Sequence, residues 1–458
     1  MCYSFSRSNE LLRYGQELED RLRIQEKMEM DKRSKNRVIV ITDISSLRGG
    51  YKEPDDAQSL IRFLLYANEF DVEGLVAAAY GGYGIRPEYI AALVKEYGNV
   101  HGSLLRQDPE YPSADTLLSL IKRGNTRCGI EEMGERKDTE GSEWIIAMGD
   151  KPDPRPLWIL VWGGPLDLAQ AIWKVSHTRS EEQYRTFIAG LRVYAIGDQY
   201  DQTGPWIRQN HPDLFYITAY QTFRGMYRGG NTALAGNAWI REHITEGHGS
   251  LGGAYPVYDG GDPWGKVEGM KEGDTPSFLY LIPTGLGDPE QPSWGSWGGR
   301  FQGTGRHFTD ASDRVGEEES GKASLYRWRA AFQADFAARM DWCTRDYGQT
   351  NHPPVVVVKG SSYLTAAPGE MRMFSAADSY DPDGDTLSFQ WDFYPEAGTF
   401  PEMPEIMGNG KSEVIIRIPE TDAEGTAHLI LSVSDHGSPS LTRYHRFLIT
   451  IKQKGEKS

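Results

Sequence analysis

The chain has 458 residues, of which 49 are basic and 65 acidic, so its formal net charge is −16 at pH 7. This charge disfavours nucleic acids and anionic membranes as partners, because like charges repel at long range. The hydrophobic share of 39% is typical of a globular protein, and the length predicts two or three domains. Three cysteines, Cys2, Cys128 and Cys343, lie far apart, which argues against a cysteine-bound zinc ion.

The N-terminal segment, residues 1–36, is predicted to be a charged helical extension. It lacks the basic segment followed by an apolar stretch that defines a signal peptide. Apolar runs everywhere in the sequence are shorter than the roughly 18 residues that cross a bilayer. The sequence as it stands therefore predicts a cytoplasmic protein.

Residues 37–345 alternate between predicted strands and predicted helices. Short apolar runs rich in β-branched residues predict buried strands, and apolar residues at helical spacing predict the helices. The strands are expected at residues 37–42, 72–79, 157–162 and 191–196, and the helices at 56–66, 87–97, 165–175 and 323–342. This order predicts an α/β domain with a mostly parallel sheet and flanking helices.

The pattern changes beyond a polar segment at residues 343–354. Short alternating segments separated by turn residues are typical of an all-β sandwich. The strands are expected at residues 355–358, 371–375, 387–391, 414–418, 427–433 and 444–451. We expect this second domain to span residues 353–453.

Three aspartates mark the first candidate site. Asp43 follows the first strand, and Asp55 and Asp56 open the next helix. The carboxyl ends of the strands are where open α/β sheets bind ligands. Neighbouring carboxylates repel one another unless a cation is present, and this oxygen set suits calcium before magnesium. A helix cap would explain one of the three aspartates but not all of them.

These aspartates resemble the Asp-rich opening motif of the nucleoside hydrolases, divided here by an insertion at residues 44–54. Residues 162–169 are similar to the Gly-Pro-Leu-Thr-Asn-Leu-Ala segment of that family, and residues 272–278 resemble its late Asp-containing helix start. The resemblance implies that calcium is bound by Asp43, Asp56, Asp274 and a backbone carbonyl near Leu166 or Asp167.

The sequence is most similar to a nucleoside-hydrolase-like subfamily that carries a C-terminal β domain and is often labelled cellulose-binding. Residues 53–56, 196–207, 292–300 and 327–329 carry this resemblance. It implies an Ig-like or cadherin-like sandwich after the α/β domain. Relatives with such β domains are often exported, so the compartment stays open.

The resemblance also implies roles in hydrolysis. Asp43 would accept the proton of the attacking water, and Asp55 would bind a sugar hydroxyl. Two departures stand out, since Trp206 and Ile207 lie near the positions of the ribose-binding Glu and Asn, and Gly273 replaces a His. The polar residues that could contact the sugar instead are Asp198, Gln199, Asp201 and Gln202, and the aromatic ones are Trp206 and Trp297. Candidates for the leaving-group acid are His101, His248 and Glu242.

Two functions follow, and a third explanation stays open. The first is a calcium-dependent hydrolase of an N-glycosidic or related glycosidic bond in a nucleoside-like or sugar substrate. The second is a non-catalytic protein that binds cellulose or another polysaccharide and keeps the metal site. A purely structural calcium ion is the third. The expected partners are small sugars, nucleosides or polysaccharides, with no nucleic acid and no membrane, and a homodimer is left open.

One further motif lies in the β domain. Asp381, Asp383 and Asp385 alternate with Pro382 and Gly384, which resembles the Asp-rich loop of polycystic-kidney-disease-type and cadherin-like sandwiches. Asp-Gly pairs favour tight turns. The motif therefore predicts a turn first and a weak calcium site second.

Overall fold

The computed structural model describes residues 35–47, 55–79, 84–200, 202–259 and 267–452, apart from the side chains of residues 199, 200 and 259. The predicted helix of the N-terminal extension lies outside these residues. Within the described ranges, no helix is both long enough and apolar enough to cross a membrane.

The first domain contains twelve strands among its described residues. The four strands predicted for it are confirmed, with ends that agree to within about two residues. In chain order they are β1 (Asn36–Thr42), β2 (Phe70–Ala77), β3 (Ile121–Arg123), β4 (Leu157–Val161), β5 (Leu191–Ile196), β6 (Phe215–Ala219), β7 (Tyr258–Asp259), β8 (Glu268–Gly269), β9 (Phe301–Thr304), β10 (His307–Asp310), β11 (Asp313–Val315) and β12 (Glu318–Ser320). The prediction from the sequence does not include β3 or the strands from β6 to β12.

Eight of these strands form one sheet in the order β3-β2-β1-β4-β5-β6-β10-β9. All neighbouring pairs are parallel except the β9–β10 hairpin at one edge. The prediction of a mostly parallel sheet is therefore confirmed. Because β1 lies inside the sheet between β2 and β4, the residues that follow it reach the middle of the sheet's carboxyl edge.

Helices cover both faces of this sheet. In chain order they are α1 (Asp55–Leu65), α2 (Pro87–Gln107), α3 (Ala114–Ser119), α4 (Glu140–Gly149), α5 (Leu166–Thr178), α6 (Glu181–Ala189), α7 (Thr203–Asn210), α8 (Asn237–Ile240), α9 (Gly249–Gly253), α10 (Pro276–Leu279), α11 (Ala323–Tyr326) and α12 (Arg329–Trp342). Alternate residues of β1 face opposite sides, so Val38 and Val40 join one apolar cluster while Ile39 and Ile41 join another. The sheet thus separates two hydrophobic cores.

Three predicted elements differ from the structure. The helix expected at 87–97 continues to Gln107 in α2. The single helix expected at 323–342 is broken between α11 and α12, where Arg327 bonds Asp313 and the ring of Trp328 packs on Tyr394 and Tyr444. These tertiary contacts override the local helix propensity. The strand expected at 355–358 is reduced to an isolated bridge between Val355 and Tyr380.

The second domain is built from two small sheets. Its strands are β13 (Tyr363–Ala366), β14 (Met371–Ser375), β15 (Leu387–Phe393), β16 (Glu405–Met407), β17 (Glu413–Arg417), β18 (Gly425–Asp435) and β19 (Thr442–Ile451). One sheet has the order β13-β19-β18-β15 and the other β14-β17-β16, with every pair antiparallel except β13–β19. The completely buried Trp391 lies in the core between them. The predicted all-β domain is therefore confirmed.

The two domains are held together by buried polar contacts. Arg446 of β19 donates to the backbone carbonyls of Leu286 and Trp294 at 2.7 and 2.8 Å. The amide of Tyr444 donates to the carbonyl of Thr284 at 2.8 Å. The predicted domain limits, 37–345 and 353–453, stay a prediction.

Candidate functional site

The candidate site is built on the carboxyl ends of β1 and β4. The amide of Trp162, just after β4, donates to the carbonyl of Ile41 at 2.8 Å. The amide of Ala78 donates to the carbonyl of Thr42 at 2.9 Å. The ladder is thus complete up to the last residue of β1. The chain then turns away at Asp43, whose position is fixed by the sheet.

Asp43, Asp55 and Asp56 are all buried at this edge. The Thr42 hydroxyl donates a hydrogen bond to Oδ1 of Asp56, and Asp43 hydrogen-bonds the same carboxyl group. Burial raises the pKa of Asp56 well above its usual range, and the charges of Asp43 and Asp55 raise it further. The structure therefore brings the three sequence-predicted aspartates together.

The turn after β4 lies directly on Asp43. A Cβ atom at Gly163 would come within 2.8 Å of Cγ of Asp43, so this close approach requires glycine. Leu166 is already the first residue of α5. The carbonyl of a helical residue points towards the amide four residues later, so that of Leu166 points along the helix. The backbone that lies against Asp43 is that of Gly163.

The segment before α10 forms another wall of the site. Gly273 lies against Asp55, since a Cβ atom there would be 3.1 Å from Oδ2 of Asp55. Asp274 follows directly and is buried. The completely buried Gln58 of α1 accepts from the amides of Lys271 and Glu272 at 2.9 and 3.1 Å. One glutamine thus holds the segment with Asp274 against the helix that carries Asp55 and Asp56.

Two residues that the sequence reading missed contact Asp55. Nζ of Lys271 lies 3.5 Å from Oδ2 of Asp55, and the hydroxyl of Tyr258 donates to Oδ1 at 3.2 Å. Lys271 is itself buried. In the sequence, the only feature that could have pointed to Lys271 is its position three residues before the predicted ligand Asp274. The carboxylate of Asp55 is therefore oriented by the ammonium group of Lys271 and the hydroxyl of Tyr258.

The chemistry of these side chains fits a hard cation in part. Asp43 and Asp56 supply buried carboxylate oxygens that repel each other, which is the setting in which a cation is favourable. In the described ranges, however, no group of three or more His, Cys, Asp or Glu side chains is arranged as a complete metal site. A calcium ion here would therefore rely on the Asp43–Asp56 pair together with other oxygens.

The predicted sugar contacts near β5 and α7 have other neighbours. Asp198 is buried and accepts hydrogen bonds from Arg208 and from the Tyr216 hydroxyl. A Cβ atom at Gly204 would clash with the Asp198 carboxyl group, so α7 packs tightly onto it. Trp206 is half-buried, with its ring edge against His211. The side chain of Gln199 and the whole of Asp201 lie outside the described residues.

The prediction of Trp297 as a sugar-stacking residue is corrected by the structure. Its side chain is completely buried, and Nε1 donates to the Tyr444 hydroxyl at 3.3 Å. The guanidinium of Arg443 lies 5.6 Å from its ring centre. The Gly-rich loop that looked exposed in the sequence is covered by the second domain.

The candidate leaving-group acids lie in other settings. His248 is buried and bonds Asp341 at 3.1 Å, and His101 bonds the carbonyl of Tyr111 at 3.2 Å. Glu242 is exposed and its nearest recorded ionic neighbour is His243. These contacts give the two histidines structural roles.

Comparisons with known proteins agree with this architecture. Residues 37–301 match the family model described as cellulose-binding Sde182, nucleoside hydrolase-like domain. Residues 373–451 match the model described as cellulose-binding protein Sde0182, C-terminal domain. No curated protein sequence is significantly similar to this chain.

One solved structure gives the same result over nearly the whole chain. A nucleoside hydrolase-related hypothetical protein from Saccharophagus degradans, associated with carbohydrate metabolism, is 34% identical with a TM-score of 0.76, and the match covers 92% of this chain and 100% of that one. The PKD domain from the KIAA 1837 protein is 18% identical with a TM-score of 0.16, covering 21% and 83%. Cadherin domains 3–6 of protocadherin gamma B2 are 21% identical with a TM-score of 0.16, covering 22% and 25%. From the family match and the 34% identity over nearly the full length, we conclude that this chain belongs to the family of cellulose-binding Sde182 proteins with a nucleoside hydrolase-like domain.

Proposed function

We propose that this protein is a calcium-dependent hydrolase of a glycosidic bond in a sugar or nucleoside-like substrate. The observation that carries the proposal is the group of three buried aspartates at the carboxyl ends of β1 and β4, with Lys271 and Tyr258 oriented on one of them. Hydrolysis of a glycoside needs an activated water and stabilisation of the positive charge that develops on the sugar. Carboxylates provide both functions.

Each aspartate has a separate task in this proposal. Asp43 accepts the proton of the attacking water. Asp55 accepts a hydrogen bond from a sugar hydroxyl, while Lys271 and Tyr258 hold its carboxylate in place. Calcium held by Asp43 and Asp56 would lower the pKa of a bound water, as metal ions do in hydrolases. Asp274 belongs to the segment that Gln58 holds against α1.

The substrate class is proposed from two observations. Both matching family models are described as cellulose-binding, and the similar protein from Saccharophagus degradans is associated with carbohydrate metabolism. In addition, Gly273 stands where the nucleoside hydrolases have a His, so no imidazole is supplied there to protonate a nucleobase. Together they favour sugar substrates over purine or pyrimidine nucleosides.

The test combines calcium titration with a release assay on the full-length protein. Isothermal titration would measure calcium binding to the wild type and to Asp56→Ala, and reducing-sugar and free-base release would be followed over oligosaccharides and ribonucleosides. We expect calcium-dependent turnover by the wild type and at least a hundredfold loss in Asp43→Asn, since general-base catalysis contributes roughly 10²–10⁴-fold.

The matched control is Asp71→Asn, which removes one carboxylate charge from a half-buried position on the same sheet, where Asp71 pairs with Arg155. This variant should keep wild-type turnover and calcium affinity. If Asp56→Ala binds calcium as tightly as the wild type, the assignment of the metal to these aspartates is wrong. If calcium binds but no sugar or base is released, the enzyme proposal fails.

A second candidate function is polysaccharide binding by the β domain. A groove of about 460 Å³ is lined by Tyr380, Asp385 and Phe389, among others. Tyr380 is 56% exposed, so its ring is available for stacking on a sugar face. Asp385 stands beside it as a hydrogen-bond acceptor for hydroxyl groups.

This second function is tested by pull-down on insoluble cellulose. Tyr380→Ala should lower the bound fraction at least fivefold, because an aromatic stacking contact contributes about 1–3 kcal/mol. Tyr363→Ala removes an equally exposed ring outside the groove and should bind like the wild type. Equal binding by all three proteins would remove the groove from consideration.

A further inference from the structure

Three segments of the chain meet at one end of the β domain, far along the chain from the aspartates of the first site. Asn351 of the interdomain segment donates from Nδ2 to Oδ1 of Asp435, at the end of β18, at 3.0 Å. The next amide, that of His352, donates to Asp383 in the Asp-rich loop at 2.7 Å. Val355 then pairs with Tyr380, just before that loop. The interdomain segment, the Asp-rich loop and the end of β18 therefore form one cluster.

This cluster contains three buried oxygen atoms that accept no hydrogen bond. They are Oδ2 of Asp381, Oδ2 of Asp435 and Oδ1 of Asn351. Asp435 is 1% exposed and Asn351 is 5% exposed. A buried polar atom without a partner costs about 1–3 kcal/mol, and more when the group is charged. Asn351 bonds Asp435, and the charge of Asp381 acts on Asp435, so the three side chains are neighbours. Neighbouring acceptors without donors are a setting in which a bound ligand is favourable.

The other oxygen of each carboxylate, Oδ1, accepts two or more hydrogen bonds. Oδ1 of Asp381 accepts from the amides of Asp383 and Asp385, which confirms the predicted turn. Oδ1 of Asp435 accepts from the amides of Gly437 and Leu441 as well as from Asn351. These bonds fix both carboxyl groups and leave their Oδ2 atoms for the cluster.

The amide orientation of Asn351 is fixed in the same way. Its Nδ2 donates to Oδ1 of Asp435 and to the carbonyl of Pro439, at 3.0 and 2.8 Å. A flipped amide would place Oδ1 against two acceptors, so the observed orientation is the favourable one. Oδ1 of Asn351 is therefore an acceptor and not a misassigned donor.

The electrostatic setting calls for positive charge. Burial raises the pKa of Asp435, and the nearby charge of Asp381 contributes to the increase. In the described part of the chain, no Lys or Arg side chain forms an ion pair with either carboxylate. A water molecule can donate only two hydrogen bonds, whereas a cation can satisfy three acceptor oxygens at once.

We propose that Asp381, Asp435 and Asn351 form a calcium site at the junction between the β domain and the segment that leads into it. Two carboxylates and one amide oxygen are ligands that calcium prefers, and carbonyls or waters complete its usual 6–8 oxygens. This site has two carboxylates and one amide oxygen, whereas the group at β1 and β4 has three carboxylates, so the two are separate and chemically different sites. The inference does not depend on the proposed hydrolase function.

The experiment uses Asp381→Asn in the full-length protein. Asparagine keeps an oxygen for the amides of Asp383 and Asp385 but places an NH2 group at the position of Oδ2. The substitution removes a negative charge that acts on Asp435, so in EDTA the variant should melt at the wild-type temperature or above it. With calcium at about a hundredfold excess over Kd, the wild type should gain about 2–4 °C, and the variant should not.

A local probe shows where the ion binds. The indole of Trp342 donates to the carbonyl of Asn351 at 3.1 Å, which places a sensitiser beside the cluster. Terbium luminescence excited through tryptophan should appear in the wild type. The part that comes from the cluster should persist in Asp56→Asn and be lost in Asp381→Asn, whereas any signal from an ion at Asp43 and Asp56 should be retained in Asp381→Asn. The exposed Asp392→Asn is the matched control and should behave like the wild type.

The outcomes separate this site from the one at β1 and β4. Loss of one bound ion in Asp381→Asn, with the other retained, supports the inference even if no hydrolysis is found. If Asp381→Asn and Asp392→Asn show the same calcium stoichiometry, thermal shift and terbium signal as the wild type, the inference is overturned.

Discussion

The Thr42 hydroxyl donates to the carboxyl group of Asp56, and this bond joins the last residue of β1 to the first turn of α1. Two elements separated by an insertion in the sequence are thereby fixed at one point. The bond favours the charged form of Asp56, whereas burial and the neighbouring Asp43 and Asp55 favour the neutral form. Burial and the like charges prevail, and this balance makes the stability of the site depend on pH.

The first prediction concerns metal-free protein in EDTA. The pKa of Asp56 is raised in the folded state, so its protonated form contributes stability that is full below about pH 4 and is lost as the pH rises through the raised pKa. Asp56→Asn, which carries no such charge, should therefore gain stability relative to the wild type as the pH rises above about 4. Thermal melts at several pH values measure the difference. A difference that shrinks with rising pH would contradict the assigned shift.

The second prediction concerns Lys271, whose ammonium group lies beside Asp55. Lys271→Met should destabilise the fold by about 1–3 kcal/mol, because a buried carboxylate loses its counter-charge. Lys271→Arg keeps the charge and should recover at least half of this loss. Urea unfolding gives both values, and an unchanged midpoint for Lys271→Met would show that the pair contributes no stability.

The third prediction concerns the completely buried pair of Arg62 and Glu272, 2.8 Å apart. Glu272 has a backbone φ of 44° and also accepts from the Tyr255 hydroxyl at 2.6 Å. Breaking such a pair leaves a buried charge, so Arg62→Met should cost about 3–5 kcal/mol. Denaturant unfolding measures the cost. Adding Glu272→Gln should cost less than its effect in the wild type, since the charge is then already unpaired.

Much of the α/β domain could be predicted because its signals are local. The apolar run that forms β1, the helical spacing of α1 and the positions of Asp43, Asp55 and Asp56 are visible within about thirty residues of sequence. Lys271 and Trp297 show the limit. The contact of Lys271 with Asp55, and the burial of Trp297 by Tyr444, depend on residues more than a hundred positions away. Strands β9 and β10 were missed because an edge hairpin rich in polar residues has little apolar signal.

The fourth prediction concerns Arg446, which donates to carbonyls of the first domain. Arg446→Met should remove these bonds and separate the unfolding of the two domains. Calorimetry should then show two transitions where the wild type shows one. Arg417→Met removes an exposed arginine from β17 and should leave the single transition intact. Two transitions in the wild type itself would contradict the coupling.

The covered loop around Trp297 has a consequence for how the gene can be divided. A Cβ atom at Gly285 would lie 2.0 Å from the carbonyl oxygen of Tyr444. The backbones of the two domains therefore approach so closely here that no side chain fits between them. A truncation after α12 would expose Trp297 and the carbonyls that Arg446 occupies, and the shortened product should aggregate. Recombination that exchanged one domain for a foreign partner would meet the same obstacle. Each domain should therefore fold well only beside the partner whose surface it fits.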